Sequence, residues 1–375
     1  MASYLSTVDP GGLEEFSVVF TDRSLNHMSA KFQAVMREIS ESLREVYNAE
    51  AVAVVPGGGT YAMESVARQF GRGARVMVVR NGWFSYRWSQ IFEAGGFAAG
   101  VDVVMARQTG NDARAPYAPP PIAEVVARIH EAKPEVVFAP HVETSAGIIL
   151  PDAYISQMAQ AAHDVGALLV LDCIASGCVW VDMVETGVDV LISAPQKGWS
   201  ASPSAGLVML SPAAVARLEA TTSDSFALDL KKWRSIMAAY EGGGHAYHAT
   251  MPTDALVGFL EALRETKTMG FAKAKAAQWA LGTAVRALFA ARGVMSVAAD
   301  GFGAPGVVVC YTDDPGVQNG SKFREEGLQI AAGVPLQVGE GAAFKTFRIG
   351  LFGLDKLADV PATVARLERA VEAVF

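Results

Sequence analysis

Short apolar runs alternate with amphipathic segments along the first two thirds of the chain. The runs predict strands at 51–55, 74–79, 102–106, 135–140, 167–172, 189–195 and 206–211. Because most of them are apolar throughout, they are typical of strands that are covered on both faces. Helical patterns lie between most of the strands, for example over 61–70, 123–132 and 153–165. This alternation predicts an α/β fold with a mainly parallel sheet and helices on both sides.

The pattern changes after about residue 253. Helices are predicted at 254–269, 274–292 and 360–374, and strands at 306–312 and 347–352. This arrangement is typical of a smaller α+β unit. A chain of 375 residues with 51% apolar composition is long enough for one large and one small domain. The predicted organisation is an N-terminal arm over 1–30, a large domain over 31–255 and a small C-terminal domain over 256–375.

The composition and charge of the chain indicate which binding partners and which cellular location to expect. Charged residues make up only 19% of the chain, the formal net charge is −8, and no Lys/Arg-rich block occurs, which argues against nucleic acid. The cysteines Cys173, Cys178 and Cys310 form neither a disulfide framework nor a zinc-binding spacing, so we expect them to be reduced and structural and expect no metal. No signal peptide or membrane span is recognisable, which predicts a cytoplasmic protein.

The first segment that could bind a ligand is PGGGT, Pro56–Thr60, which lies between a predicted strand and a predicted helix. Successive small residues leave backbone N–H groups free to face an anion, and the helix N-terminus adds partial positive charge. A P-loop would need a lysine that is missing here. A dinucleotide-binding turn fits the spacing but lacks the acidic residue expected after the next strand. A plain strand-to-helix turn also remains open.

Two further residues follow predicted strands. Asp172 ends one strand, and Lys197 follows the next. Individually, Asp172 could cap a loop and Lys197 could be a surface lysine. Together with the phosphate cradle, however, they supply what pyridoxal 5′-phosphate (PLP) needs: an anchor for the phosphate, an acid beside the pyridine nitrogen and an amine for the aldehyde. Partial burial would also lower the pKa of Lys197, and we expect Trp199 to contribute to that shielding.

From about His27 to the C-terminus, the chain resembles the class V aminotransferases of PLP fold type I, particularly the alanine–glyoxylate and serine–pyruvate group. The most specific part is LDCIASGCVWVDMVETGVDVLISAPQKGWSASPSAGLVMLS, which contains Asp172 and Lys197. The resemblance implies a large domain with a mostly parallel seven-stranded sheet and a small C-terminal α+β domain. It also implies a homodimer with shared active sites.

The resemblance implies a role for each residue at a matching position. Phosphate contacts are implied for Gly58, Gly59 and Thr60, and across the subunit interface for Tyr247 and Thr250. Gln196 is implied to lie beside either the phosphate or the ring oxygen. Ring contacts are implied for Phe84 (stacking), Thr144 (phenolic oxygen), Asp172 (pyridine nitrogen) and Ile174 (ring face). Lys197 and Asp172 are the expected catalytic residues, and Arg348 is expected to bind the substrate α-carboxylate. Phe84 replaces the family's usual tryptophan, so its stacking area should be smaller.

The expected reaction moves an amino group from alanine, serine or a similar small amino acid to a small 2-oxo acid such as glyoxylate or pyruvate. The chain departs from the family by lacking its N-terminal Pro-Gly-Pro segment and by carrying a triple glycine, Gly242–Gly244, before Tyr247. These departures leave the substrate open. The alternatives are a PLP-dependent lyase or an aminophosphonate transaminase on the same fold, and a non-catalytic ligand-binding protein with a decayed site.

Overall fold

A computed structural model describes residues 5–375 of the chain, which contain fifteen helices and fourteen strands. The helices are α1 Leu5–Val8, α2 Ala30–Tyr47, α3 Gly59–Phe70, α4 Trp83–Gly95, α5 Ile122–Ala132, α6 Asp152–Asp164, α7 Met183–Thr186, α8 Pro212–Ala220, α9 Leu230–Glu241, α10 Thr253–Met269, α11 Phe271–Ala290, α12 Pro315–Gln318, α13 Ser321–Glu325, α14 Leu354–Ala358 and α15 Val360–Val374. The strands are β1 Ala51–Pro56, β2 Arg75–Arg80, β3 Gly100–Met105, β4 Arg107–Gln108, β5 Tyr117–Ala118, β6 Val136–Pro140, β7 Val142–Glu143, β8 Ile148–Ile149, β9 Leu168–Asp172, β10 Val190–Ser193, β11 Ala205–Leu210, β12 Val307–Tyr311, β13 Ala331–Ala332 and β14 Thr346–Gly350.

A seven-stranded sheet forms the centre of the fold, in the order β1-β11-β10-β9-β6-β2-β3. All its neighbouring pairs are parallel except the two that involve β11. Every residue of β6 and of β9 is buried, as expected for continuously apolar strands with helices on both faces. The predicted mostly parallel, seven-stranded sheet is therefore confirmed, and each predicted strand lies within two residues of its observed ends.

The one antiparallel strand matters for the site. Because β11 runs against β1, the start of β11 lies at the same sheet edge as the end of β1, and Ala205 pairs with Pro56. Just beyond this pair, the Gly57 N–H donates to the Ser204 carbonyl over 2.9 Å. The turn after β1 is thereby fixed at the edge where the parallel strands β6, β9 and β10 also end.

The C-terminal part carries a small antiparallel sheet in the order β12-β14-β13. Helices α11 and α15 pack together beside it, and Phe289 of α11 contacts Phe347 of β14 with ring centroids 5.5 Å apart. This matches the α+β character predicted for the C-terminal segment, while the exact domain boundaries remain predictions. The three cysteines are buried and unbonded to one another. Within residues 5–375, no helix is both long and apolar enough to cross a bilayer.

Candidate active site

A cavity of about 280 Å³ opens at the carboxyl edge of the central sheet. Nine of the residues predicted from sequence line it: Gly58, Gly59, Thr60, Phe84, Thr144, Asp172, Ile174, Gln196 and Lys197. Gly57, which belongs to the predicted glycine turn, also lines it. Its other lining residues, which the sequence had not indicated, are Tyr61, Met63, Arg87, Val142, Ala175 and Pro203. The strand ends thus bring together side chains that are far apart in the sequence, as expected for a site in an open α/β sheet.

The glycine turn between β1 and α3 forms one wall of the cavity. The N–H groups of Gly58, Gly59 and Thr60 have no hydrogen-bond acceptor within the described part of the chain, and they lie at the N-terminus of α3. A Cβ at Gly59 would lie only 2.5 Å from the Cδ1 atom of Ile174, so the close approach of Ile174 requires glycine there. Free N–H groups at a helix N-terminus are suited to an anion such as a phosphate.

Asp172 lies at the floor of the cavity, at the end of β9. Its side chain is only 8% exposed, and its Oδ1 atom accepts a 3.0 Å hydrogen bond from the Ile174 N–H. Burial raises the pKa of Asp172 to about 7, and the nearby Glu143 carboxylate acts in the same direction. The Ile174 N–H and the Arg87 guanidinium lower it. A cation held against Asp172 would therefore stabilise its ionised form.

Lys197 follows β10 in a loop that closes on itself, since the Ser200 N–H donates to the Lys197 carbonyl over 3.1 Å. Burial lowers the pKa of the Lys197 amine, and the guanidinium groups of Arg348 and Arg87 lower it further. No carboxylate within residues 5–375 forms an ion pair with Lys197. A lysine with a lowered pKa and no counter-ion is suited to act as a nucleophile.

The aromatic surroundings of Lys197 differ from those expected. The ring near the Lys197 Nζ atom belongs to Phe352, with its centroid 5.4 Å away. Trp199, which we expected to provide shielding, instead packs in the core against Trp180 and Tyr47 and donates its indole N–H to Ser193. A large aromatic residue two positions from Lys197 could not be assigned to the site or the core from the sequence alone.

Gln196 contributes an amide to the same wall of the cavity. Its Oε1 atom is buried and has no hydrogen-bond partner in the described structure. Buried polar atoms are nearly always paired, because an unpaired one loses its hydration without compensation. A polar ligand in the cavity would provide the missing partner.

Glu143 fixes the positions of Phe84 and Thr144 relative to each other. Glu143 had not been identified as a site residue from the sequence. Glu143 is fully buried and caps the N-terminus of α4 by accepting hydrogen bonds from the Phe84 N–H (3.2 Å) and the Ser85 N–H (2.9 Å). The Ser85 and Ser145 hydroxyls also donate to it, over 2.7 and 2.6 Å. One carboxylate therefore ties the loop of Thr144 to the helix of Phe84, and the only sequence signal was an acid beside Thr144 in HVETSAG.

Arg87 lies one helical turn after Phe84 on α4. Its Nη1 atom donates to the Thr60 hydroxyl over 3.0 Å, and its guanidinium lies 5.2 Å from the centroid of the Phe84 ring. The three-residue spacing from Phe84 is the only sequence signal that indicates this position, because residues three apart share a helix face. The helix thus presents an aromatic ring and a cation to the same cavity.

Arg348, on β14 of the small sheet, is not among the residues that line the cavity, but it lies beside one of them. Its guanidinium lies 5.6 Å from the centroid of the Phe84 ring, and its Nε atom donates to the Ala332 carbonyl over 2.8 Å. Burial lowers the pKa of Arg348, and the Glu143 carboxylate opposes that effect. The predicted substrate-binding arginine is therefore near the cavity, with donors left for a carboxylate.

Tyr247 and Thr250 do not line the cavity of their own chain. They lie between α9 and α10, Tyr247 is about half exposed, and its hydroxyl is 3.1 Å from the Thr250 hydroxyl. Their predicted contact with the phosphate of a neighbouring subunit remains a prediction.

Comparison with known proteins agrees with this geometry. The family model "Aminotransferase class-V" matches residues 15–306. The chain is 27% identical over 351 residues to the soluble hydrogenase small subunit of Synechococcus, covering 92% of this chain and 86% of that protein. It is 26% identical over 353 residues to alanine–glyoxylate aminotransferase 1 of Saccharomyces cerevisiae, covering 88% and 86%.

A solved structure shows the same fold. The crystal structure of an alanine–glyoxylate aminotransferase from Nostoc superposes with a TM-score of 0.79 at 22% identity, covering 94% of this chain and 89% of that chain. The family match, which extends over most of the chain, and the shared fold lead to one conclusion: this protein is a member of the class V aminotransferase family.

Proposed function

We propose that the protein is a PLP-dependent aminotransferase that moves an amino group from a small α-amino acid, such as alanine or serine, to a small 2-oxo acid such as glyoxylate or pyruvate. The observation that carries the proposal is the content of one cavity: an anion cradle, the buried carboxylate of Asp172 and the unpaired amine of Lys197. The similarity to yeast alanine–glyoxylate aminotransferase supports the substrate class.

The groups that lack partners match the parts of PLP. The free N–H groups of Gly58, Gly59 and Thr60 suit the phosphate. The amide NH2 group of Gln196 would donate to the phosphate or to the ring oxygen. The buried Asp172 suits a protonated pyridine nitrogen. The residues present therefore fit the cofactor, and Phe84 and Ile174 would hold the ring between them. Thr144, buried beside Glu143, would donate its hydroxyl to the phenolic oxygen.

When bound, PLP supplies an electron sink for the electrons released at the substrate Cα. Asp172 would keep the pyridine nitrogen protonated, because a carboxylate in a buried site favours a cation beside it. The Lys197 amine would hold the cofactor's aldehyde and would give way to the substrate's amino group. The freed Nζ atom would then be able to accept the Cα proton of the substrate and donate it back, which requires a pKa near the working pH.

Arg348 would bind and orient the substrate. A planar guanidinium can hold a carboxylate through two parallel hydrogen bonds, which a lysine cannot do. Its position beside Phe84, on the side of the small sheet, would hold the α-carboxylate next to the ring. A small α-amino acid bound in this way would be held close to Lys197.

The proposal is tested by locating the cofactor and then following each half-reaction. Purified protein loaded with PLP is reduced with borohydride, digested and analysed by mass spectrometry, and we expect a pyridoxyl label on Lys197. The absorption band of the bound cofactor should change when alanine or serine is added and return when glyoxylate or pyruvate follows. Lys197→Ala should fold, lose the label and lose turnover. A label on another lysine, or no band at all, would refute the proposal.

A further inference from the structure

The cradle at the start of α3 has no charge of its own. The predicted phosphate ligands Gly58, Gly59, Thr60 and Gln196 are neutral, and so are Tyr247 and Thr250, which are expected to come from a second chain. A phosphate monoester carries nearly two negative charges at neutral pH, and a helix N-terminus supplies only about half a positive charge. Desolvating such an anion calls for a cation at the cradle.

Arg87 is a cation in direct contact with the cradle. Its Nη1 atom donates to the Thr60 hydroxyl over 3.0 Å, which places the guanidinium beside the N-terminus of α3. Within residues 5–375 no carboxylate forms an ion pair with it. A guanidinium has five N–H donors, so the contact with Thr60 leaves several for an anion.

The other two cations of the site are assigned to different tasks. Lys197 faces Phe352 and supplies the amine for the aldehyde, and Arg348 is anchored to Ala332 of the small sheet. Arg87 lies on α4, whose N-terminus is fixed by the buried Glu143. The same helical turn therefore places the stacking ring of Phe84 and a free guanidinium at fixed positions.

We propose that Arg87 is the charged ligand of the cofactor's phosphate. The Thr60 hydroxyl orients the Arg87 guanidinium by accepting a hydrogen bond from one of its N–H groups. The inference rests on the proposed PLP function and adds a residue to it. In this arrangement α4 holds both ends of the cofactor: Phe84 faces the ring and Arg87 neutralises the phosphate. A competing role for Arg87, the binding of an anionic substrate side chain, would leave cofactor affinity unaffected.

The test compares PLP with pyridoxal, which has the same ring and aldehyde but no phosphate. Cofactor-free protein is titrated with each compound, and the dissociation constant is measured by absorption and tryptophan fluorescence. We expect Arg87→Gln to weaken PLP binding by roughly ten- to one-hundred-fold, the size of one charge-assisted hydrogen bond, and pyridoxal binding by no more than about twofold. Arg87→Lys should recover part of the loss, because it keeps the charge.

Arg348→Gln is the matched control, since it removes the other guanidinium that faces Phe84 and should change the affinities for PLP and pyridoxal to the same extent. Unchanged PLP affinity in both Arg87 variants would overturn the inference, as would an equal loss for PLP and pyridoxal. Thermal unfolding verifies that each variant is folded, and Arg87→Lys serves if Arg87→Gln is not. If the unaltered protein binds neither compound, the proposed function itself fails, a result distinct from loss of the Arg87 effect alone.

Discussion

At the scale of single residues, the buried carboxylate of Asp172 lowers the stability of the folded protein when no cation faces it. Burial raises its pKa to about 7, whereas an aspartate in an unfolded chain titrates near pH 4. The folded state therefore holds the proton to higher pH than the unfolded state does. The stability associated with this group is fully present below about pH 4 and is lost as the pH rises from about 4 to about 7.

Asp172→Asn should consequently stabilise the cofactor-free protein at pH 8, because asparagine cannot ionise, and the difference from the parent should vanish near pH 4. The test compares the calorimetric melting temperatures of the variant and the parent between pH 4 and pH 8. Asp189→Asn is a useful control. Asp189 is also buried, but its carboxylate accepts hydrogen bonds from His163 and the Leu169 N–H. This substitution should therefore destabilise the folded protein at pH 8. A lower melting temperature for Asp172→Asn at pH 8 would contradict the prediction.

The same substitution should reduce turnover by orders of magnitude, because the pyridine nitrogen loses the charge that keeps it protonated. PLP should still bind through its phosphate. Steady-state kinetics of the PLP-loaded variant measures this. A loss of less than about threefold, which is under ~0.7 kcal/mol, would mean that Asp172 does not serve as the partner of the nitrogen.

Arg348 is predicted to determine whether the substrate is an α-amino acid. Each charge-assisted bond to a carboxylate contributes roughly 1.5–3 kcal/mol, so Arg348→Ala should raise the KM for alanine or serine by about two orders of magnitude or more. Arg348→Lys should recover only part, because it lacks the planar fork. An amine or aminophosphonate without an α-carboxylate should respond to neither change. A small effect on the best amino-acid substrate would argue for an aminophosphonate or other amine instead.

At the scale of elements, α4 shows where sequence reasoning succeeds and where it fails. The strands and the helices flanking the site follow from local periodicity, and α15 has the predicted bounds, 360–374. The start of α4 depends on Glu143, about 60 residues away, and its aromatic-rich first turns are weak helix formers. Tertiary contacts of this kind are invisible to local patterns, so Phe84 could be matched by family resemblance whereas Arg87 and Glu143 were missed.

Removing the cap of α4 should affect the cofactor differently from removing Arg87. Glu143→Ala leaves the Phe84 and Ser85 N–H groups without their acceptor, which costs about 1–3 kcal/mol of stability, and releases the end of the helix. We expect the affinities for PLP and pyridoxal to fall together, because Phe84, which would stack on the ring of both compounds, would be displaced. The titration used for Arg87 measures both, and a selective loss of PLP affinity would show that Glu143 acts on the phosphate side only.

At the scale of the whole molecule, Tyr247 and Thr250 lie outside the cavity of their own chain, which is where residues that complete a neighbour's site would lie. If the sites are shared in a homodimer, mixing Lys197→Ala with Tyr247→Ala chains should restore activity. In the mixed dimer, one site combines the intact Lys197 of one chain with the intact Tyr247 of the other. Sedimentation confirms the dimer, and activity is measured before and after subunit exchange. No gain on mixing would place Tyr247 outside the shared site.

The pairing of β1 with β11 also has a consequence for synthesis on the ribosome. Ala51 pairs with Leu210, and the turn that follows β1 is fixed by Ser204. At about 5–20 residues per second, β1 waits on the order of ten seconds for this partner to be translated. Until then an apolar strand edge is exposed to neighbouring nascent chains, and chaperones would have to protect it. Binding of the proposed cofactor would correspondingly come late, because the turn after β1 lacks its Ser204 contact until that residue has emerged.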